Sequence, residues 1–290
     1  MSDIRDSVNS MPPLTAARSF LFVPGSDERK LGKALDAGAD VVIADLEDAV
    51  LPEEKGRART LATEVLAGAA TESIRLVRVN ALGTPWHDDD LAALSAETVD
   101  GIVLPKASPH AAQRAAAGAL PVVAIVETAD GLRSAHAVAS VPGVEALVLG
   151  AVDLGLELGL EPRSDGQELL FARSTLVVDS AAAGIRPPVD QVWVDVRDLA
   201  GLERDCALAR SLGFRGKACI HPAQVEVVNN AFSPSADEVA SAQAVVTAYE
   251  QAAAEGRGAV ALDGQMIDLP VVERARRVLA NAKRSVLHVE

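Results

Sequence analysis

The chain has 290 residues, and 27 Lys and Arg against 41 Asp and Glu give it a formal net charge of −14. With 49% hydrophobic and 23% charged residues it has the composition of a globular protein rather than a disordered one. The acidic balance argues against nucleic acid and anionic membranes as partners, although a local basic patch could still hold a small anion. No apolar run approaches the roughly 20 residues that span a bilayer. The opening segment, 1–17, is polar, contains Pro12 and Pro13, and lacks the apolar stretch of a secretory signal, so the expected location is the cytoplasm.

From Arg18 onward, short β-branched runs alternate with longer Ala/Leu-rich stretches. Strands are expected near Arg18–Val23, Val41–Leu46, Ile74–Asn80, Gly101–Pro105, Val122–Glu127, Ala146–Gly150, Val192–Val194 and Lys217–Ile220. Most are continuous apolar runs, as in a parallel sheet covered on both faces. Ser26 is placed to cap the first helix, whose buried stripe is Leu31, Ala34 and Leu35, with Gly38 past its end. Pro52 opens the second, with Glu53 and Arg57 spaced to pair. Leu199, Leu202, Cys206 and Ala209 share one face of the seventh. Eight such units predict a (β/α)8 TIM barrel over 18–232. Beyond it, 233–290 reads as a C-terminal helical extension with a lid: a helix at Ala236–Ala254, a break at Gly256–Gly258, a short segment Ala259–Ile267 and a last helix from about Pro270.

In such barrels the chemistry sits at the C-terminal ends of the strands, and polar residues recur there: Ser26, Glu47 and Asp48, Arg78 and Asn80, Lys106, Glu127, Asp153, and His221. Each has a plainer reading. Asp153 can be a helix cap and Arg78 a structural ion pair, whereas Glu127, closing an apolar strand, needs a proton, a cation or hydrogen bonds. Convergence on one rim favours a polar active site. Glu127 and Asp153 end adjacent strands and could share Mg²⁺, with a 2-oxo acid as bidentate ligand and Arg78 holding an oxyanion or a carboxylate. Asp88–Asp90 reads as a helix N-terminus; His87, His110, His136 and His288 are expected on the surface; Cys206 and Cys219 are expected to pack in the core.

The segments Arg18–Ser26, Asp45–Val50, Arg78–Asn80, Leu104–Lys106, Val126–Ala129, Gly150–Leu154, Cys219–Gln224 and Asp263–Pro270 together resemble the citrate lyase β-subunit-like (CitE-like) branch of the HpcH/HpaI aldolase/citrate lyase family. The resemblance implies a barrel that uses Mg²⁺ to make or break 3-hydroxyacyl-CoA thioesters of the malyl-, citramalyl-, citryl- or hydroxymethylglutaryl-CoA type through an enolate. Glu127 and Asp153 match the metal ligands and Arg78 the arginine on the substrate oxygen. Glu47 and Asp48 match acidic residues beneath the metal site. Asp268 matches a lid aspartate that moves a proton in a neighbouring subunit's site, and homotrimers, or hexamers of trimers, are implied. For the coenzyme A phosphates Arg18, Ser26, Arg29 and Lys30 are the candidates, with Lys106 beside them. One position departs: Val152 stands where the family usually has glutamate, which predicts altered substrate choice or lower activity. A metal-dependent aldolase acting on free 2-oxo acids without coenzyme A, and a non-catalytic acyl-CoA-binding protein, are the competing readings.

Overall fold

The computed structural model describes residues 14–262 and 264–286, with side chains as far as residue 282. The polar segment Met1–Pro13, Asp263 and His288 lie outside these. Seven parallel strands form one curled sheet in the order β6-β5-β4-β3-β2-β1-β7: β1 Ser19–Pro24, β2 Val41–Asp45, β3 Ile74–Arg78, β4 Gly101–Leu104, β5 Val122–Val126, β6 Val144–Leu149 and β7 Lys217–Cys219. Between β6 and β7 the chain contributes only two single bridges, Val189 to Val148 and Asp190 to Lys217. Main-chain bonds from Leu149 N to Val189 O (3.0 Å) and from Ala218 N to Asp190 O (2.9 Å) join the two edges there. The result is a TIM-barrel-like fold whose remaining strand position is reduced to two residues.

This corrects the expectation of a strand at Val192–Val194, where Val194 is 68% exposed. Pro187 and Pro188 carry no N–H and can only accept, as Pro188 O does from Arg215 N at 3.2 Å, so two-sided pairing is confined to Val189 and Asp190. Here a buried charge cluster accompanies the backbone pairing. Arg173 grips Asp190 through two bonds of 2.9 Å, and Lys217 Nζ lies 2.6 Å from Asp190 and 2.5 Å from Asp205. Burial opposes the charge on Lys217, but Asp190 and Asp205 outweigh it and raise its pKa.

The helices follow the strands in turn: α1 Glu28–Leu35, α2 Lys55–Ala67, α3 His87–Ala93, α4 Pro109–Ala116, α5 Ala129–Arg133, α6 Ala135–Ala139, α7 Ala151–Leu158, α8 Leu170–Ala183, α9 Leu199–Leu212 and α10 Val225–Phe232. Asp27, not Ser26, caps α1, accepting from Lys30 N at 3.0 Å. Arg57 pairs with Glu54 one turn away rather than with Glu53. Leu14 and Ala17, expected in a polar tail, are buried with the core residues Phe20 and Val41.

The inner face of the sheet follows the two-residue period of strands. Phe20, Ile43, Leu76, Ile125 and Val148 all belong to this one cluster. Continuing the same register by two residues brings Asp45, Arg78 and Glu127 to the C-terminal mouth, where a packed apolar interior gives way to charge.

Packing divides the chain between Asn229 and Asn230. The second unit contains α11 Ala236–Ala254, the antiparallel hairpin β8 Val260–Leu262 and β9 Gln265–Ile267, and α12 Leu269–Val286. Ser235 and Glu238 cap α11 reciprocally, and Ala242, Val246, Ile267, Val272 and Ala275 form its core. Among the described residues no helix is long and apolar enough to cross a membrane.

Candidate active site

A cavity of about 480 Å³ opens at the barrel mouth, lined by Arg78, Glu127 and Asp153 among the polar groups and by Phe22, Ile125 and Val148 among the apolar ones. Its geometry starts from Arg78. Its Nε and Nη2 each donate to Asp45 at 2.7 Å, and its third nitrogen, Nη1, lies 3.1 Å from Glu47 and 3.4 Å from Asp48. Phe22 packs beneath the guanidinium, 5.4 Å away. Burial works against the charge on Arg78, but Asp45, Glu47 and Asp48 outweigh it and raise its pKa. Asp45 in turn accepts from Glu47 N (2.8 Å) and Ala49 N (3.2 Å), so one carboxylate fixes both the arginine and the loop after β2. The buried Lys55 braces that loop from below, donating to the carbonyls of Leu46 (2.7 Å) and Glu47 (2.6 Å).

Glu127, directly after β5, is 4% exposed. Its Oε1 accepts from Lys106 N at 2.7 Å. Burial first, then the charges of Glu47 and Asp153, push its pKa up to about 7. Gly150 leaves the space that Glu127 fills: a Cβ there would stand 2.4 Å from Glu127 Cβ. Asp153 lies in the first turn of α7, but Gly150 occupies the cap position and no hydrogen bond or ion pair engages the Asp153 side chain among the described residues. The cap reading of Asp153 is therefore set aside.

Not every expected residue gathers here. Glu47, Asp48, Arg78, Glu127 and Asp153 do. Ser26, Arg29 and Lys30 line a separate cavity beyond β1, with Arg57 added. Lys106 is not aimed at that cavity: its Nζ bonds Glu47 at 2.7 Å. Arg18 precedes β1, hence stands at the opposite end of that strand, where Asp40 holds it through bonds of 2.9 Å to Nε and Nη2. That placement removes it from the phosphate-binding set. Asp268 belongs to the second unit and accepts from Val271 N at 3.4 Å at the head of α12. His221 caps a short turn through Ala223 N. His87, expected on the surface, is 1% exposed and bonds Asn80 O at 2.7 Å. Asp90, from the acidic run, is also buried, taking Arg59 Nε at 2.7 Å and Asn80 N at 2.8 Å. Both thiols are buried, and burial pushes Cys206 and Cys219 up to about 12, which fits packing rather than nucleophilic attack. Asp45, Lys55 and Gly150 went unassigned. Asp45 was open to detection, because it continues the inward register of Ile43.

The sequence pattern of the HpcH/HpaI aldolase/citrate lyase family matches residues 18–222, and that of the carbon–carbon bond lyases of the TIM-barrel fold matches residues 172–284. The chain belongs to the HpcH/HpaI aldolase/citrate lyase family, in its citrate lyase β-like branch, and is a carbon–carbon lyase. A (3S)-malyl-CoA thioesterase of Cereibacter sphaeroides is 38% identical over 270 residues, covering 92% of this chain and 94% of that protein. The citrate lyase β subunit of Leuconostoc mesenteroides is 36% identical over 287 residues, covering 93% and 95%. The crystal structure of protein CitE from Mycobacterium tuberculosis, in complex with magnesium, acetoacetate and coenzyme A, has a TM-score of 0.81 at 36% identity and covers 93% of this chain and 100% of that one.

Proposed function

We propose that the chain is a Mg²⁺-dependent lyase that forms or cleaves a 3-hydroxyacyl-CoA thioester of the malyl-, citramalyl-, citryl- or hydroxymethylglutaryl-CoA type through an enolate. The observation that carries the reading is that Arg78, Glu127 and Asp153 line one cavity at the strand ends. The donor set fits the metal. Among the described residues there is no group of three or more His, Cys, Asp or Glu that could hold an ion, but Mg²⁺ commonly takes one or two carboxylates and completes its shell with water and substrate oxygens. Around this mouth Asp45, Glu47, Asp48 and Glu127 act on Lys55, Arg78 and Lys106, while Asp153 acts on Glu127. A divalent cation held by Glu127 and Asp153 would offset the repulsion between those two carboxylates.

Glu127 and Asp153 would hold the ion, and a bound Mg²⁺ supplies polarisation of the 2-oxo acid's carbonyl. Asp45 occupies two of the five N–H donors of Arg78 and orients the rest of the guanidinium for a substrate oxygen on which negative charge develops. Phe22, Ile125 and Val148 line the cavity around that charge with apolar surface, which lowers the local dielectric. In condensation, Asp268 of a neighbouring copy takes the proton from the acyl-CoA methyl group; in cleavage it returns one. That assignment, the homotrimer it needs, and a cytoplasmic location rest on the family resemblance. Ser26, Arg29 and Lys30, with Arg57 beside them, are the basic and hydroxyl groups suited to the coenzyme A phosphates.

Calorimetry with Mg²⁺ tests the metal assignment. The wild-type chain is expected to bind one ion, and Asp153→Ala to lose binding and turnover together. Full Mg²⁺-dependent turnover in Asp153→Ala would remove that ligand from the account.

A further inference from the structure

Lys106 is the only described non-glycine residue with a positive φ, at 47°. Side chains rarely adopt that conformation, and a position that holds one there against glycine's ease needs a reason in the surrounding contacts. Two contacts supply it. The main-chain N–H of Lys106 donates to Glu127 Oε1 at 2.7 Å. Its ammonium crosses to Glu47 Oε1, also at 2.7 Å, and so reaches a residue 59 positions earlier in the chain. The other oxygen of that carboxylate, Oε2, is buried without a hydrogen bond and lies 3.1 Å from Arg78 Nη1. One residue therefore touches both halves of the site: the carboxylate assigned to the metal directly, and the arginine assigned to the substrate through Glu47. Lys106 does not line the cavity itself; its ammonium is engaged by Glu47.

The geometry points to Lys106 as a positioning residue that sets Glu127 through its main chain and, through Glu47, fixes Arg78 against it. The left-handed turn makes both bonds possible at once, because it directs the N–H toward β5 while the side chain runs to the loop after β2. This rests on the lyase reading above and replaces the expectation that Lys106 binds a coenzyme A phosphate.

The test is a set of three substitutions in the full chain, read by Mg²⁺ calorimetry, thermal melting, and kcat and KM separately. Lys106→Met keeps the stem and removes the ammonium. It is expected to lower kcat by about 100-fold, the cost of misplacing a catalytic group such as Arg78 by about 1 Å, while KM for the thioester stays within about threefold. Lys106→Arg is expected to recover part of kcat. Lys106→Gly relieves the left-handed strain, so its melting temperature should equal or exceed the wild-type value while kcat and Mg²⁺ affinity fall. A lysine with a merely structural role would lower stability and leave Mg²⁺ affinity alone. Raised KM with unchanged kcat in Lys106→Met would overturn the proposal in favour of phosphate binding. Unchanged Mg²⁺ affinity and kcat in all three variants would overturn it outright. If the wild-type chain itself bound no Mg²⁺, the lyase reading would fail first and the positioning role with it.

Discussion

Adding one methyl group at Gly150 probes the placement of Glu127 without removing a polar group. The backbone there has φ −91°, outside the region that favours glycine, so the substitution adds contact rather than backbone strain. The new Cβ would stand 2.4 Å from Glu127 Cβ, 2.7 Å from Glu127 Oε2 and 2.9 Å from Ile125 Cγ2. Carbon atoms rest about 3.5–4.0 Å apart, so Glu127 or the turn must yield by about 1 Å. Overpacking of this kind costs about 1–3 kcal/mol, which lowers the melting temperature by several degrees. Misplacing a catalytic group by about 1 Å costs about 100-fold in rate. Gly150→Ala is therefore expected to fold, melt a few degrees early, and lose most of its Mg²⁺ affinity and turnover. Gly155→Ala, inside α7, is the control: its Cβ meets only Leu160 Cβ, past the helix end, at 3.9 Å, and alanine there favours the helix by about 1 kcal/mol. Wild-type turnover and Mg²⁺ affinity in Gly150→Ala would refute the placement of Glu127.

Three further outcomes follow from the same structure. Lys217→Met removes one member of the buried cluster with Asp190 and Asp205 and should cost about 3–5 kcal/mol, as breaking a buried pair does; a wild-type urea midpoint would contradict a stabilising role for that cluster. Cys206 and Cys219 should resist a thiol reagent in the native state at pH 8 and react after denaturation. Their folded pKa lies above the ordinary 9.0, so whatever stability they contribute is complete below about pH 9 and is lost as the pH climbs toward about 12; rapid native labelling would contradict their burial. Val152 is 55% exposed at the cavity, so Val152→Glu should change stability by no more than about 0.5 kcal/mol and shift the ratio of turnover among 2-oxo acids. An unchanged ratio would show that this position does not set specificity.

Local pattern carried the sequence reading as far as local physics decides structure. Val41–Ala44 and Val122–Val126 are unbroken apolar runs, and α11 has the expected bounds, Ala236–Ala254, with the break at Gly256–Gly258 past its end. Glu127, Asp153 and Arg78 could be gathered because strand ends share one rim. What failed was set by distant partners. Val189 and Asp190 pair only because β6 and Lys217 stand on either side, and nothing in their own neighbourhood distinguishes them from Val192–Val194. The charge of Arg18 and its nearness to the first strand suggest a phosphate site, but strand direction puts it at the far end of β1 beside Asp40. His87 is buried by Asn80 and the turn before α3, a contact that no helical period signals. Lys106 was read by its charge, whereas its left-handed backbone decides where that charge goes.

The most direct measurement is mass spectrometry of a pooled condensation. The purified chain with Mg²⁺ meets acetyl-CoA and propionyl-CoA together with glyoxylate, pyruvate and oxaloacetate, and a parallel sample contains EDTA. The account predicts a new hydroxyacyl-CoA mass that EDTA abolishes and Arg78→Ala fails to form. Folded, Mg²⁺-binding protein that yields no such mass from any pair, yet cleaves a free hydroxy-oxo acid, would contradict the thioester chemistry and favour an aldolase acting without coenzyme A.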